Sequence, residues 1–196
     1  MNARLILASG SRFKRAELQR LGLRFESINA DVDESAHDHE PPHTLAQRLA
    51  IKKAEFVAQA HPNAYVIGAD QVVSLEGEQL HKPVTKERAI AQLARLQGKT
   101  HDIFCAVALT CPDGTTLSEV VHVKMTMRAL TLHQIQAYVE EDHVLDSAGS
   151  YTIEAGGIRL FKSMQGDDYT AIIGLPLTRV LDLLEDAQAP DFSQEF

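Results

Sequence analysis

Residues 4–15 read RLILASGSRFKR, and this stretch decides the fold. Its apolar start predicts a short buried strand, and the small residues 9–11 predict a turn directly after it. Leu18 and Leu21 then follow at helical spacing, and Gly22 is a favourable residue for ending that helix. The chain therefore opens with a strand that leads through a small-residue loop into a helix.

The rest of the chain continues this alternation of strands and helices. Further strands are predicted over residues 24–29 and 65–69, and an antiparallel hairpin over 103–110 and 117–127. Further helices are predicted over 45–61 and 85–96, and from caps at Thr131 and Thr178. We therefore expect an α/β fold with a mixed sheet, in one domain over residues 1–188 with a flexible tail over 189–196.

Composition excludes several classes of protein. Of the 196 residues, 27 are Asp or Glu and 19 are Lys or Arg, which gives a net charge of −8. An acidic chain would repel the nucleic-acid backbone, so no nucleic-acid partner is expected. No apolar run is long enough to span a membrane, and two cysteines make no disulfide framework. We expect a cytoplasmic protein without a membrane anchor.

The charges are unevenly distributed along the first 42 residues. Residues 1–30 carry six Lys or Arg against two acidic residues, whereas 31–42 carry five acidic residues and no Lys or Arg. This pattern is compatible with two solvated surfaces of opposite sign. It is equally compatible with one site that holds a polyanion together with a divalent cation.

The loop after the first strand could bind phosphate. Its backbone N–H groups and the hydroxyls of Ser9 and Ser11 lie just before a helix N-terminus, where the helix dipole favours anions. Lys14 and Arg15 add positive charge at the same end. The alternative is an ordinary N-terminal cap with exposed basic residues.

Four further segments contain charged residues that suit phosphate chemistry. Glu34 lies in the acidic loop, Lys53 in the helical segment 48–54, and Lys82 directly before a proline. Asp70 follows Gly-Ala at the end of an apolar strand. A carboxylate is costly to bury there unless a cation or hydrogen bonds offset the cost, so Asp70 is a candidate metal ligand or base.

Singly these segments are weak signals, but their order is specific. From Ser9 to Leu177 the chain carries Ser-x-Ser with a basic cluster, Asp-Glu, Arg-Leu-Ala-x-x-Lys-Ala, Gly-Ala-Asp-Gln, Lys-Pro, Ala-Gly-Ser-Tyr and Gly-Leu-Pro-Leu. This order resembles the Maf family of nucleoside triphosphate pyrophosphatases over nearly the whole chain. The resemblance implies one catalytic domain of two lobes around a central cleft, similar to inosine triphosphate pyrophosphatase. It also implies dependence on Mg²⁺ or Mn²⁺ and allows a homodimer.

Three positions resemble the branch of that family that acts on 7-methyl-GTP. They are Phe13, Gln71 and Glu154, where the branch acting on dTTP and UTP carries arginine, threonine and glutamine. 7-Methylguanine is positively charged, so Phe13 could stack on it, and Glu154 could accept hydrogen bonds from its N1–H and exocyclic amine. Arg12 and His81 depart from the family pattern, which has proline and glycine there.

The expected activity is hydrolysis of 7-methyl-GTP to 7-methyl-GMP and pyrophosphate, which removes a modified nucleotide from the pool. Asp70 would be the general base or a metal ligand, Glu34 would help to hold the metal, and Lys53 and Lys82 would stabilise phosphate oxygens. The phosphate cradle would consist of Ser9, Ser11, Lys14 and Arg15. The alternatives are a dTTP or UTP pyrophosphatase, a nucleotide-binding regulator of cell division with little catalysis, and a phosphatase that removes the terminal phosphate.

Overall fold

A mixed sheet of seven strands forms the centre of the computed structural model, which describes residues 3–193. The strands are β1 (Arg4–Leu7), β2 (Glu26–Ser27), β3 (Ala64–Leu75), β4 (Glu78–Leu80), β5 (Thr100–Thr110), β6 (Thr116–Met127) and β7 (Phe161–Gln165). The helices are α1 (Arg12–Gln19), α2 (Pro42–Ala60), α3 (Lys86–Leu96), α4 (Leu132–Glu141), α5 (Thr170–Ile173) and α6 (Leu177–Asp186). Two short 3₁₀ turns, Ala148–Ser150 and Gly156–Leu160, lie between α4 and β7.

The sheet combines parallel and antiparallel neighbours. Its order is β2-β1-β3-β5-β6-β7, and β4 pairs with β3 beside this path. Only the β1–β2 and β1–β3 pairs are parallel, and the remaining pairs are antiparallel. The predicted α/β fold with a mixed sheet is therefore confirmed, and the predicted hairpin is the long β5–β6 pair.

Side-chain caps explain where three of the six described helices begin. The side chains of Ser11 and Thr85 accept hydrogen bonds from the third residue of α1 and α3, and Thr131 forms the predicted capping box of α4. The prediction that Thr178 caps α6 is wrong. The helix begins at Leu177 after Pro176, so Thr178 lies inside it, where its N–H and hydroxyl donate to the Asp168 carboxylate at 2.9 and 2.8 Å.

None of the helices within residues 3–193 has both the length and the apolar composition needed to cross a membrane.

Two strands have other bounds than the sequence predicts. The strand expected over 24–29 is reduced to the two residues of β2. The strand expected to end at Asp70 continues as β3 to Leu75, and Asp70 is paired within it opposite Ala106 of β5. The carboxylate does not end the strand, because its charge is compensated from a neighbouring helix, as described below.

Buried apolar side chains form three clusters that divide the molecule into two lobes. In the first lobe α2 covers one face of the sheet, and α1 and α6 cover the other face. In the second lobe β4, α3, α4 and β7 surround the far ends of β5 and β6. The long strand β3 contributes to all three clusters and so runs through both lobes.

The described part of the C-terminal segment is packed against the first lobe. Phe192 is buried, its ring centroid lies 5.7 Å from that of Tyr65, and its carbonyl accepts a hydrogen bond from the Arg24 N–H at 2.8 Å. This packing buries the apolar surface of the aromatic ring, and the flexibility of residues 189–196 stays a prediction. Residues 194–196 of the predicted tail lie outside the described residues.

Gly68 allows α2 to lie directly on β3. A methyl group at this position would lie 2.1 Å from the Ala50 carbonyl oxygen and 2.6 Å from the Ala54 nitrogen, both backbone atoms of α2. We expect Gly68→Ala to lower the free energy of unfolding by about 3 kcal/mol or more, because the helix must move as a unit. Urea denaturation measures this loss.

Gly10→Ala is the matched control for that substitution. The added methyl group would meet Asn29 Oδ1 at 3.0 Å, and this atom is the end of a side chain that can rotate away. A loss in Gly10→Ala as large as that in Gly68→Ala would contradict the explanation.

Candidate active site

Asp70 and Gln71 interrupt the buried run of β3 at the boundary between the two lobes. Every residue of β3 from Val66 to Leu75 is fully buried except these two, which keep part of their surface exposed. Ile67 and Ala69 before them belong to a cluster of the first lobe, whereas Val73 and Leu75 after them belong to the cluster of the second lobe. Polar side chains here therefore face the region between the lobes.

Lys53 compensates the carboxylate of Asp70. The Lys53 Nζ lies 2.6 Å from Asp70 Oδ1 and 2.7 Å from Glu34 Oε1. The Lys53 and Asp70 side chains are only 12% and 13% exposed, whereas that of Glu34 is 59% exposed. One ammonium thus joins a buried carboxylate on β3 to a carboxylate in the acidic loop, which meets the requirement that a buried charge be paired.

The pKa values of the two carboxyl groups are shifted in opposite directions. Burial raises the pKa of Asp70 above its ordinary value, although the Lys53 charge opposes this rise. Burial also acts to raise the pKa of Glu34, but the hydrogen bond and charge of Lys53 outweigh it and lower this pKa. Their environments therefore act on the two carboxyl groups in opposite directions: burial favours the protonated form of Asp70, and Lys53 favours the ionised form of Glu34.

Two further lysines surround these carboxylates. Burial lowers the pKa of Lys14, and the positive charges of Lys53 and Lys82 lower it further. The charges of Lys82 and Lys14 both help to lower the pKa of Glu34. The structure thus brings together five of the predicted site residues, Lys14, Glu34, Lys53, Asp70 and Lys82.

The loop before α1 is shaped by its two serines. The Ser11 N–H donates to Ser9 Oγ at 3.1 Å, and Ser11 Oγ accepts from the Lys14 N–H at 3.4 Å. The Ser27 hydroxyl donates to the Ser9 carbonyl at 2.7 Å, which fixes the loop to β2. These contacts hold the N-terminus of α1, and with it Lys14, beside the Asp70 pair.

Arg15 lies on a different face of α1 from Lys14. It is exposed and lines an open groove of about 510 Å³ together with Gln19, Leu23, Arg24, Phe25 and Ser27. No contact among the described residues joins Arg15 to Lys53 or Asp70.

The Phe13 ring is in contact with the guanidinium group of Arg12. The Arg12 guanidinium carbon lies 4.7 Å from the centroid of the half-buried Phe13 ring. This distance is within the range of cation–π contacts. The face of Phe13 therefore accepts a planar cation.

Gln71 connects β3 to α5. Its side-chain nitrogen donates to the carbonyls of Ala171 and Ile172 at 2.7 and 2.9 Å. Because carbonyls only accept hydrogen bonds, these contacts use the two N–H groups of the amide and do not use its oxygen.

Asp168 is a positioning residue that the sequence analysis missed. Its buried carboxylate accepts hydrogen bonds from the N–H groups of Thr170 and Thr178 at 2.8 and 2.9 Å. It thereby holds the loop with Gly174, at which a methyl group would lie 3.4 Å from Lys14 Nζ. The available signal was the spacing of Asp168 and Thr170, since an aspartate commonly accepts a hydrogen bond from the backbone N–H two residues further on.

Glu154 lies on the exposed loop between the two 3₁₀ turns. The start of this loop is anchored by Tyr151, whose hydroxyl is 2.7 Å from Nε2 of the fully buried His101. Burial lowers the pKa of His101 to about 4, so its imidazole is neutral at neutral pH. The second lobe thus presents Glu154 on a segment fixed by a buried pair.

The donor set fits a hard divalent cation. Asp70 and Glu34 offer carboxylate oxygens to one point, since both contact the same ammonium. Within residues 3–193 no group of three or more His, Cys, Asp or Glu side chains is arranged around a metal position. Two carboxylates are sufficient for Mg²⁺, which commonly uses one or two of them together with substrate phosphates.

A family model described as Maf-like protein matches residues 4–187. The chain belongs to the Maf-like family. A relative from Xanthomonas axonopodis pv. citri (strain 306), named 7-methyl-GTP pyrophosphatase, is 44% identical over 184 residues, which cover 94% of this chain and 96% of the relative. A relative of the same name from Bordetella avium (strain 197N) is 45% identical over 93% of this chain and 92% of its own length.

The Maf-like chain also resembles a solved structure, that of the Staphylococcus aureus Ham1 protein. The TM-score is 0.53 at 17% sequence identity, over 94% of this chain and 99% of the other. At this identity the likeness concerns the fold.

The pairing of Lys53 with Asp70 can be tested through stability. Lys53→Met leaves a buried carboxylate without its cation, so we expect the free energy of unfolding to fall by about 3 kcal/mol. In the double variant with Asp70→Asn the loss should be smaller than the sum of the single losses, because a neutral amide needs no cation. Urea unfolding of the four proteins measures the coupling, and additive losses would contradict it.

Lys99→Met is the matched control. Lys99 contacts Glu76 at 3.2 Å, but both side chains are exposed, so the loss should remain below about 1 kcal/mol.

Proposed function

We propose that this protein is a nucleoside triphosphate pyrophosphatase that hydrolyses 7-methyl-GTP to 7-methyl-GMP and pyrophosphate. The observation that carries the proposal is the buried Asp70 carboxylate, paired with Lys53 and surrounded by Glu34, Lys14 and Lys82. Membership of the Maf-like family and the names of its relatives support the same activity. The protein would act in the cytoplasm and remove a modified nucleotide from the pool.

Lysines would carry the electrostatic part of the reaction. Water attacks the α-phosphorus, the α–β phosphoanhydride bond breaks, and pyrophosphate leaves with the bonding electrons. Negative charge is spread over the phosphate oxygens in the transition state, and the ammonium groups of Lys14, Lys53 and Lys82 stabilise it. The N-terminus of α1 adds backbone N–H donors from the loop of Ser9 and Ser11.

Asp70 would take the proton from the attacking water. Burial raises the pKa of Asp70, which favours its accepting a proton, whereas contact with Lys53 lowers the pKa of Glu34. Glu34, with Asp70, would hold Mg²⁺ or Mn²⁺, and when bound the metal supplies further neutralisation of phosphate charge. Asp70 would thus act on the attacking water and, together with Glu34, on the metal.

The base would be recognised from both lobes. Phe13 of the first lobe already accepts the Arg12 guanidinium, and 7-methylguanine is also a flat cation. Glu154 of the second lobe is exposed and offers a carboxylate to the N1–H and exocyclic amine of guanine. The amide oxygen of Gln71 is a further acceptor between them.

The activity is tested by pyrophosphate release with Mg²⁺ or Mn²⁺ from 7-methyl-GTP, GTP, UTP, CTP and dTTP. We expect 7-methyl-GTP to be preferred. Asp70→Asn should lower kcat by about 100-fold or more, because the proton acceptor is lost. Asp182→Asn is the matched control, since Asp182 pairs with Arg179 on the exposed face of α6.

Each alternative has its own result in this assay. Preference for UTP or dTTP would place the protein in the other branch of the family. Release of phosphate instead of pyrophosphate would identify a terminal phosphatase. Nucleotide binding without hydrolysis would favour a regulatory protein.

Base recognition is tested by two substitutions. Phe13→Leu keeps an apolar side chain but removes the ring face, and Glu154→Gln keeps the size but removes the charge. Each should lower kcat/KM for 7-methyl-GTP relative to GTP by about tenfold, because both groups act on the cationic base. Phe56→Leu, on the exposed face of α2, should leave the ratio unchanged. An unchanged ratio in both site variants would contradict these roles.

A further inference from the structure

The loop that carries Glu34 has no regular secondary structure, yet it is held at several points. Residues 31–40 are mostly exposed and precede α2. Lys52 Nζ donates to the carbonyl of Asp33 at 2.9 Å, and Arg48 Nη2 donates to the carbonyl of Ser35 at 2.9 Å. These two carbonyls belong to the residues directly before and after Glu34. The backbone of Glu34 is therefore fixed from both sides by α2.

Arg48 also binds the end of the same loop. Its Nε and Nη2 donate to the two carboxylate oxygens of Glu40, each at 2.7 Å, in a bidentate pair. Glu40 Oε2 in turn accepts from the His37 N–H at 3.0 Å. Arg48 thus joins the middle of the loop, at Ser35, to its end, at Glu40.

The Arg48–Glu40 pair is more enclosed than comparable pairs in this chain. The Glu40 and Arg48 side chains are 5% and 25% exposed, whereas those of the bidentate Arg95–Glu78 pair are 64% and 50% exposed. Hydrogen bonds from Arg48 lower the pKa of Glu40 to about 2, so the pair stays charged at neutral pH. Exposed pairs contribute little to stability, whereas an enclosed bidentate pair fixes geometry.

Helix α2 therefore contacts both carboxylates of the site and also the backbone on each side of Glu34. Lys53 contacts Asp70 and the Glu34 carboxylate, and its neighbours Arg48 and Lys52 hold the Glu34 backbone. We propose that Arg48 is a positioning residue that fixes residues 31–40 and thereby sets the affinity of the Glu34 carboxylate for the divalent cation. This rests on the proposed function, which assigns Glu34 to the metal.

The experiment compares Arg48→Ala with Arg95→Ala, which removes a bidentate pair from the surface of α3. Hydrogen exchange of the metal-free proteins reports the loop directly. We expect faster exchange over residues 31–40 in Arg48→Ala alone. Titration with Mn²⁺, followed by electron paramagnetic resonance, should show affinity about 10- to 100-fold weaker in Arg48→Ala, as is typical when a group behind a metal ligand is removed.

Turnover separates positioning from direct action on the nucleotide. With saturating Mn²⁺, Arg48→Ala should reach a kcat within about twofold of the unmodified protein, because the reacting groups remain. Arg48→Lys keeps the charge but not the bidentate geometry, so its Mn²⁺ affinity should be intermediate. Should Arg48→Ala fail to fold, as judged by circular dichroism, Arg48→Lys decides by the same three measurements.

Several results would overturn this proposal. They are Mn²⁺ affinity unchanged in Arg48→Ala, equal weakening in Arg95→Ala, exchange of residues 31–40 at the control rate, or no Mn²⁺ binding by the unmodified protein. A raised KM for nucleotide with unchanged Mn²⁺ affinity would instead indicate direct binding of phosphate by Arg48. If the unmodified protein bound Mn²⁺ but released no pyrophosphate, the proposed function would fail, and the exchange and Mn²⁺ results would still decide the role of Arg48.

Discussion

The contact between the Lys53 ammonium and the Asp70 carboxylate is the interaction on which the rest of the site depends. A carboxylate inside a strand that runs through both lobes would be too costly to bury alone. Lys53 offsets that cost only because α2 lies directly on β3, and it can do so because residue 68 is glycine. The close packing of α2 on β3 thus brings the Lys53 ammonium within contact distance of the Asp70 carboxylate.

The helix α2 serves as a common frame for the acidic groups. Lys53 of α2 contacts the Asp70 carboxylate, and Arg48 and Lys52 of α2 donate hydrogen bonds to backbone carbonyls of the Glu34 loop. An exposed loop would otherwise lose conformational entropy each time its carboxylate engaged a ligand. Fixing the backbone beforehand leaves only the Glu34 side chain to be ordered, which is the general advantage of a preorganised site.

Local sequence patterns predicted those features that depend on residues close together in the chain. The strand, small-residue loop and helix over residues 4–22, the caps at Thr85 and Thr131, and the family itself are confirmed. The continuation of β3 past Asp70 was missed, because its cause, Lys53, lies 17 residues away on another element. The Arg48–Glu40 pair was missed because a loop and a helix must pack together to form it, and the contact of Asp168 with Thr178, ten residues away, also depends on the fold.

The whole chain is negatively charged, whereas the candidate site contains a cluster of positive charges. The net charge is −8, yet three lysines surround Asp70 and Glu34. At physiological ionic strength charges are screened over about 8 Å, so the distant acidic surface has little effect on a phosphate within the site. Lys14 is partly disfavoured in its charged form by burial and by the other two lysines. A polyphosphate would relieve that repulsion, so contacts inside the site, and not long-range attraction, would bind the triphosphate of the proposed substrate.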